Sequence, residues 1–204
     1  MKPILIACET SGVLREAFRA LGAEAVSCDL LPADDGSPHH VQVDVRYILG
    51  PDRWSLVIAH PPCTYLCGSG LHWNKRRPGR EKLTREAAKF FTLFTILDCP
   101  TAIENPVGIM STLYRKPDQI VQPYQFGDDA SKATCLWLRG LPPLRPTRHV
   151  PPRLVDGLPR WSNQTNSGQN RLGPSATRWK ERSRTYPGIA AAMADQWLNF
   201  IERG

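Results

Sequence analysis

Apolar and polar positions alternate in two rhythms along the first half of the chain. Ile4 to Cys8 is a short apolar run of the kind that forms a buried strand, and it ends in a turn. Val13, Phe18 and Leu21 then recur at helical spacing, which predicts a helix from Val13 to Leu21, capped by Thr10 or Ser11 and stopped by Gly22. Further strands are expected at Ala23 to Leu30, Val41 to Val45 and Trp54 to Ala59, the last apolar throughout and so buried on both faces. A helix is expected from Leu83 to Leu97, capped by Thr84 or the polar run before it and ended before Pro100, with a fifth strand at Thr101 to Glu104. This strand–helix alternation predicts a single-domain α/β fold, a doubly wound and mostly parallel sheet with helices on both faces.

After Pro106 the rhythm is lost. Ser131 to Arg139 is a further expected strand, broken by the prolines between Leu141 and Pro146. Residues 145–184 are rich in Pro, Gly, Asn and Arg without an apolar period, which predicts a long loop that binds something or stays disordered. Ile189 to Ile201 is amphipathic and helical. The chain thus divides into an α/β core at 1–144, a basic loop at 145–184, and a C-terminal helix at 185–204 that completes the core. There is no internal repeat.

Charge adds a partner to this picture. The 204 residues carry a formal charge of +7, which calls for a polyanion. The basic residues gather in two segments: Lys75-Arg76-Arg77-Pro78-Gly79-Arg80 with Lys82 and Arg85, and the 145–184 stretch with Trp161 and Trp179. Arginines interleaved with aromatics suit phosphate contacts and base stacking, so Arg76, Arg77, Arg80, Arg171, Arg178, Arg182 and Arg184 are the expected nucleic-acid contacts. The competing reading is two solvated loops. The six cysteines are scattered singly, no leader-like apolar segment precedes Ile4, and no run is long enough to span a membrane, so free thiols in a cytoplasm are expected. Cys63 and Cys67 lack partners at zinc spacing, so no metal site is expected.

Ligands of open α/β sheets sit at the carboxyl ends of the strands. Those ends carry Cys8-Glu9-Thr10-Ser11-Gly12, then Asp29, Asp44, His60-Pro61-Pro62-Cys63 and Glu104-Asn105-Pro106. An acid after the second strand is placed to hold a ribose, and one after the third to accept from an adenine amino group. Each alone is as readily a turn former. Pro-Pro-Cys is sharper, because two prolines stiffen the turn and strip it of amide donors. A thiol on such a turn is placed for attack, whereas Cys8, Cys28, Cys99 and Cys135 read as buried small side chains. Gly68 and Gly70 predict a flexible loop able to close over a substrate.

The ordered pair Pro61-Pro62-Cys63 and Glu104-Asn105 resembles the signatures of the cytosine C5 DNA methyltransferases. Arg184-Thr185-Tyr186-Pro187-Gly188-Ile189-Ala190 resembles the last motif of that family, and the compact length resembles its small phage-type members. The resemblance implies a Rossmann-like domain that binds S-adenosylmethionine and acts on DNA, with the target cytosine flipped from a duplex or supplied single-stranded. It implies Cys63 as the nucleophile, Glu104 as the group on N3 and the exocyclic amine, and Asn105 as the support of the Pro-Pro turn. Lys132 falls where the family has an arginine strand. Glu9, Thr10, Ser11, Gly12, Asp29, Asp44 and Pro61 fall at the cofactor positions. It also implies a bacterial or phage-infected cytoplasm. Three departures stand out: the first motif has one glycine, Glu-Asn is followed by Pro106, and no large target-recognition domain is present. The last predicts low sequence specificity, a partner subunit or homo-oligomer, or a small substrate. Rival readings are an amino-group methyltransferase, a C5 modification with another one-carbon donor, and a non-catalytic nucleic-acid-binding protein on the same scaffold. His72, beside the nucleophile, is left outside the catalytic set.

Overall fold

A computed structural model describes residues 1–203. Its elements in chain order are β1 (Ile4–Ala7), α1 (Val13–Arg19), β2 (Ala25–Asp29), β3 (His40–Gln42), β4 (Leu56–Ala59), α2 (Arg80–Thr92), β5 (Thr101–Pro106), α3 (Met110–Leu113), β6 (Gln119–Val121), β7 (Thr134–Arg139), β8 (Arg153–Val155), β9 (Leu158–Arg160), α4 (Arg178–Ser183) and α5 (Pro187–Arg203). Seven strands form one sheet in the order β3-β2-β1-β4-β5-β7-β6. The first five run parallel, and β7 runs antiparallel to both of its neighbours. This is the α/β, mostly parallel sheet that the apolar rhythm predicts.

β1 and β4 are buried at every position, as strands covered on both faces must be. Ile4, Ile6, Leu56 and Ile58 join α1 and α5 in one core, where Phe18, Met193 and Trp197 are fully buried. Leu5, Ala7, Val57 and Ala59 face the other way, against Phe91 of α2 and Phe94 in the 3₁₀ turn Leu93–Ile96. The period of two along each strand therefore feeds two cores, one per face.

Several boundaries shift from expectation. The third strand begins at His40 rather than Val41 and is only three residues long, a short sheet edge. α2 starts after Gly79 and gives way to a 3₁₀ turn after Thr92, so Thr84 is a buried helix-interior residue bonded to Asn74 rather than a cap. The sequence also concealed β6 and α3, which are too short to show a period. The 145–184 stretch is not a bare loop. It holds the β8–β9 hairpin and α4, and Trp161 inside it is buried and stacked on Tyr124 at 4.1 Å. No helix among the described residues is long and apolar enough to cross a membrane.

Candidate functional site

The direction of strand order reverses between β1 and β4, which are hydrogen-bonded neighbours whose chain continuations lead to opposite halves of the sheet. A crevice opens beyond the carboxyl ends of the strands at such a reversal. The loop Cys8–Gly12 leaves β1 at this point and His60–Cys63 leaves β4 beside it, with His60 N donating to the Ala7 carbonyl at 2.9 Å.

Pro61 and Pro62 give the turn after β4 no amide donors, so it must be held through its carbonyls. Asn105, buried on β5, donates from Nδ2 to the Pro61 carbonyl at 2.7 Å. The chain after Cys63 folds back, with Leu66 N and Cys67 N both donating to the Cys63 carbonyl at 2.9 Å. It is then laced to the segment after β5: Gly68 N reaches the Val107 carbonyl at 3.1 Å, and Ile109 N reaches the Leu66 carbonyl at 2.9 Å. Gly108 permits this approach, because a Cβ there would lie 2.0 Å from the Leu66 carbonyl oxygen. The expected mobile glycine loop is therefore built into 3₁₀ turns over Gly68–Lys75, since its amides are used in those bonds.

The parallel register pairs Ala59 with Ile103, so the next residues, His60 and Glu104, lie side by side at the strand ends. His60 Nδ1 lies 2.9 Å from Glu104 Oε2. Burial alone pushes the Glu104 carboxyl up, but the His60 hydrogen bond and the nearby Lys132 and His60 charges hold it below the ordinary carboxylate value. The half-buried Cys63 thiol is raised by burial, and further by Cys67 and Glu104, while Lys132 acts in the opposite sense. Lys132 lies two residues before the start of β7, whose Cys135 pairs with Asn105, and its Nζ reaches the Arg184 carbonyl at 3.4 Å. The structure thus brings Cys63, Glu104, Asn105 and Lys132 together and adds His60, to which the sequence reading gave no role. Strand register was the signal that would have found it.

The other border of the crevice is built differently. Glu9 is buried, and its carboxylate accepts from the amides of Leu14 at 2.9 Å and Arg15 at 3.3 Å, capping α1. Ser11 Oγ also bonds Glu9, at 3.1 Å, so the Glu9 and Ser11 side chains are turned to the helix. Gly12 has φ of 69°, and a Cβ there would run into Arg15 and Asp35. Those two form an ion pair in which the Arg15 side chain is fully buried, also bonded to Ser27 Oγ at 2.7 Å. Thr10 contributes its carbonyl to Asp34 N. Asp29 Oδ1 accepts from Leu31 N at 2.9 Å. Asp44 is bonded to Arg46 through both oxygens, at 3.0 and 3.1 Å, and this partner lowers its carboxyl.

This border tests which nucleoside cofactor fits. Dinucleotide folds seat a pyrophosphate on the first helix N-terminus. Here the Glu9 carboxylate already takes the Leu14 and Arg15 amides, so they are not free to bind a pyrophosphate.

Of the basic residues, Arg77 and Arg76 lie over the Trp73 ring, at 4.4 and 5.9 Å. Arg80 lies over Tyr65 at 4.9 Å and donates to the Thr64 carbonyl, so it braces the loop that follows Cys63. Arg178, Arg182 and Arg184 lie in or beside α4, which is tied to the β2 loop by a Lys180–Asp34 ion pair of 2.8 Å. Arg171 donates from Nε to the Gln164 carbonyl at 2.9 Å. All six cysteines are free.

No protein-family model matches the chain, and no curated protein matches it. Among solved structures it is similar to the Dnmt2 methyltransferase of S. pombe, at 16% identity and a TM-score of 0.42, over 68% of this chain and 48% of that one. It is also similar to the methyltransferase EhMeth of Entamoeba histolytica, at 15% identity and a TM-score of 0.46, over 74% of this chain and 58% of that one. The chain therefore spans about half the length of each.

Proposed function

We propose that the protein transfers a methyl group from S-adenosylmethionine to C5 of cytosine in DNA. The observation that carries this reading is the turn itself: a half-buried thiol on a Pro-Pro turn clamped by Asn105, with the carboxylate of the adjacent residue Glu104 held ionised beside it. Cytosine C5 is unreactive until a nucleophile adds to C6. Cys63, once deprotonated, forms the S–C6 bond, and the displaced electron pair moves toward N3. Glu104, once it has taken up a proton, donates a hydrogen bond and then that proton to N3, so charge does not accumulate on the ring. S-adenosylmethionine, when bound, supplies the electrophilic methyl group. Loss of the C5 proton to a base and breakage of the S–C6 bond then restore the aromatic ring and the thiolate. Lys132 stabilises the thiolate before attack.

Asp29, the Thr10–Gly12 backbone and Pro61 are the residues that would hold the cofactor in this reading, while Glu9 and Ser11 shape its border. Arg76, Arg77, Arg171, Arg178, Arg182 and Arg184 would meet DNA phosphates, and the exposed Trp179 offers a face to a base. The compact 145–184 segment stands where a larger reader of sequence would be needed, which favours a weakly selective enzyme or one guided by a partner.

A 5-fluorocytosine oligonucleotide cannot lose its C5 substituent, so it traps the S–C6 bond. Wild type with S-adenosylmethionine should give a denaturation-resistant adduct, and Cys63→Ser should give none. Absence of the wild-type adduct refutes the proposal, and mass spectrometry of treated DNA identifies the group transferred.

A further inference from the structure

We infer that His60 is a positioning residue that selects which oxygen of Glu104 hands a proton to the pyrimidine N3. The inference rests on the cytosine reading above. The side chains of His60 and Glu104 are 10% and 13% exposed, so their bond is sheltered from competing water. His60 Nδ1 occupies Oε2, and no hydrogen bond among the described residues reaches Oε1, which is also not among the fully buried unpartnered atoms. One oxygen is committed to a protein partner and the other is not.

The commitment has a chemical consequence. A carboxyl group that carries a proton on the wrong oxygen accepts where it should donate. With His60 Nδ1–H donating to Oε2, a proton on the carboxyl resides on Oε1, where it meets the N3 lone pair. When the S–C6 bond forms, that proton moves from Oε1 to N3, and the negative charge left on Glu104 is received by the His60 hydrogen bond. The proton returns to Oε1 as the S–C6 bond breaks. No proton need leave His60 at any stage. The remaining groups facing the pair are Lys132 ahead of β7, Cys135 within β7 and Cys63 on the turn. None of them forms a hydrogen bond or ion pair with Glu104 among the described residues, so His60 alone distinguishes its two oxygens.

The test compares His60→Asn, whose amide can donate from near the Nδ1 position, with His60→Leu, which cannot. His60→Leu should lower kcat by about tenfold or more, the scale of one positioned proton-transfer group, with KM for DNA nearly unchanged. The limb of the pH profile that requires protonated Glu104 should move to higher pH, because the carboxylate has lost its donor. His60→Asn should keep the wild-type limb and most of the rate. Equal losses in both variants with an unmoved limb would show a packing role and overturn the inference. Should His60→Leu fail to fold, His60→Gln, whose amide lies one methylene further out, replaces it.

A second arm needs no turnover. Carbon-13 titration of Glu104 in the free protein should show a higher pKa in His60→Leu than in wild type, and an unchanged value overturns the coupling even if the adduct forms. Failure of wild type to form the 5-fluorocytosine adduct instead overturns the cytosine reading, and the N3 assignment with it.

Discussion

Asn105→Leu separates two jobs that the Asn105 side chain combines. Asn105 Nδ2 donates to the Pro61 carbonyl at 2.7 Å inside the protein, while its Oδ1 is buried without a partner. Leucine has nearly the same shape but cannot donate. Leaving the Pro61 carbonyl unpaired costs about 1–3 kcal/mol. Removing the orphaned Oδ1 offsets part of that, so the net loss should be about 1–2 kcal/mol, at the lower end of the same range. For a chain of this size that lowers Tm by about 2–8 °C, at about 2–4 °C per kcal/mol. The effect on chemistry should be larger. Nothing else on the turn can replace the bond, because neither proline has an N–H, and a misplacement of about 1 Å in a reacting group can cost about a hundredfold. Single-turnover adduct formation at 25 °C, where the variant remains folded, should therefore slow by about a hundredfold while the melt moves by only a few degrees. An adduct rate within threefold of wild type would show that the two prolines alone hold Cys63.

Other changes probe the rest of the site. Gly108→Ala forces a Cβ against the Leu66 carbonyl and should destabilise the fold by about 1–3 kcal/mol while loosening the loop after Cys63, measured by urea unfolding and by proteolysis near Cys67. Alkylation of Cys63 by iodoacetamide should rise with pH through a midpoint above the ordinary thiol value, because burial disfavours the thiolate. Lys132→Met should move that midpoint higher still, since the lysine favours the charged form; a lower midpoint would contradict its placement. Glu9→Gln weakens the α1 cap and should cost about 0.5–2 kcal/mol in thermal unfolding, whereas Asp29→Ala should leave the melt unchanged and weaken S-adenosylmethionine binding by calorimetry. Loss of binding in Glu9→Gln without loss of stability would reverse those two roles.

The sheet was readable because β1 and β4 are uninterrupted apolar runs, and α5 carries a clear apolar stripe. Local period does not encode β6, held by three residues, nor the fold of 145–184, where a single buried Trp161 stacked on Tyr124 stands in for a core. Cys63 was visible through its prolines. His60 was not, because a histidine beside a turn acquires meaning only when register sets it against Glu104. Glu9 shows the opposite case. Its place after β1 suggested a ligand contact, but the nearest free amides were those of its own helix. Arg80 likewise counted as one more surface cation until the Tyr65 ring and Thr64 carbonyl showed where its guanidinium goes.

The lacing between residues 66–68 and 107–109 has a consequence for how a substrate is met. Enzymes that swing a reactive loop onto a bound target can correct small errors of approach as they shut. Here the thiol and the acid hang from two segments stitched into one rigid piece, so any motion carries both together and the distance between them is fixed before a base arrives. In the proposed reaction, compliance must then come from the nucleic acid. A nucleotide with a loose backbone, at a mismatch, a gap or a strand end, would seat more readily than one inside an intact helix.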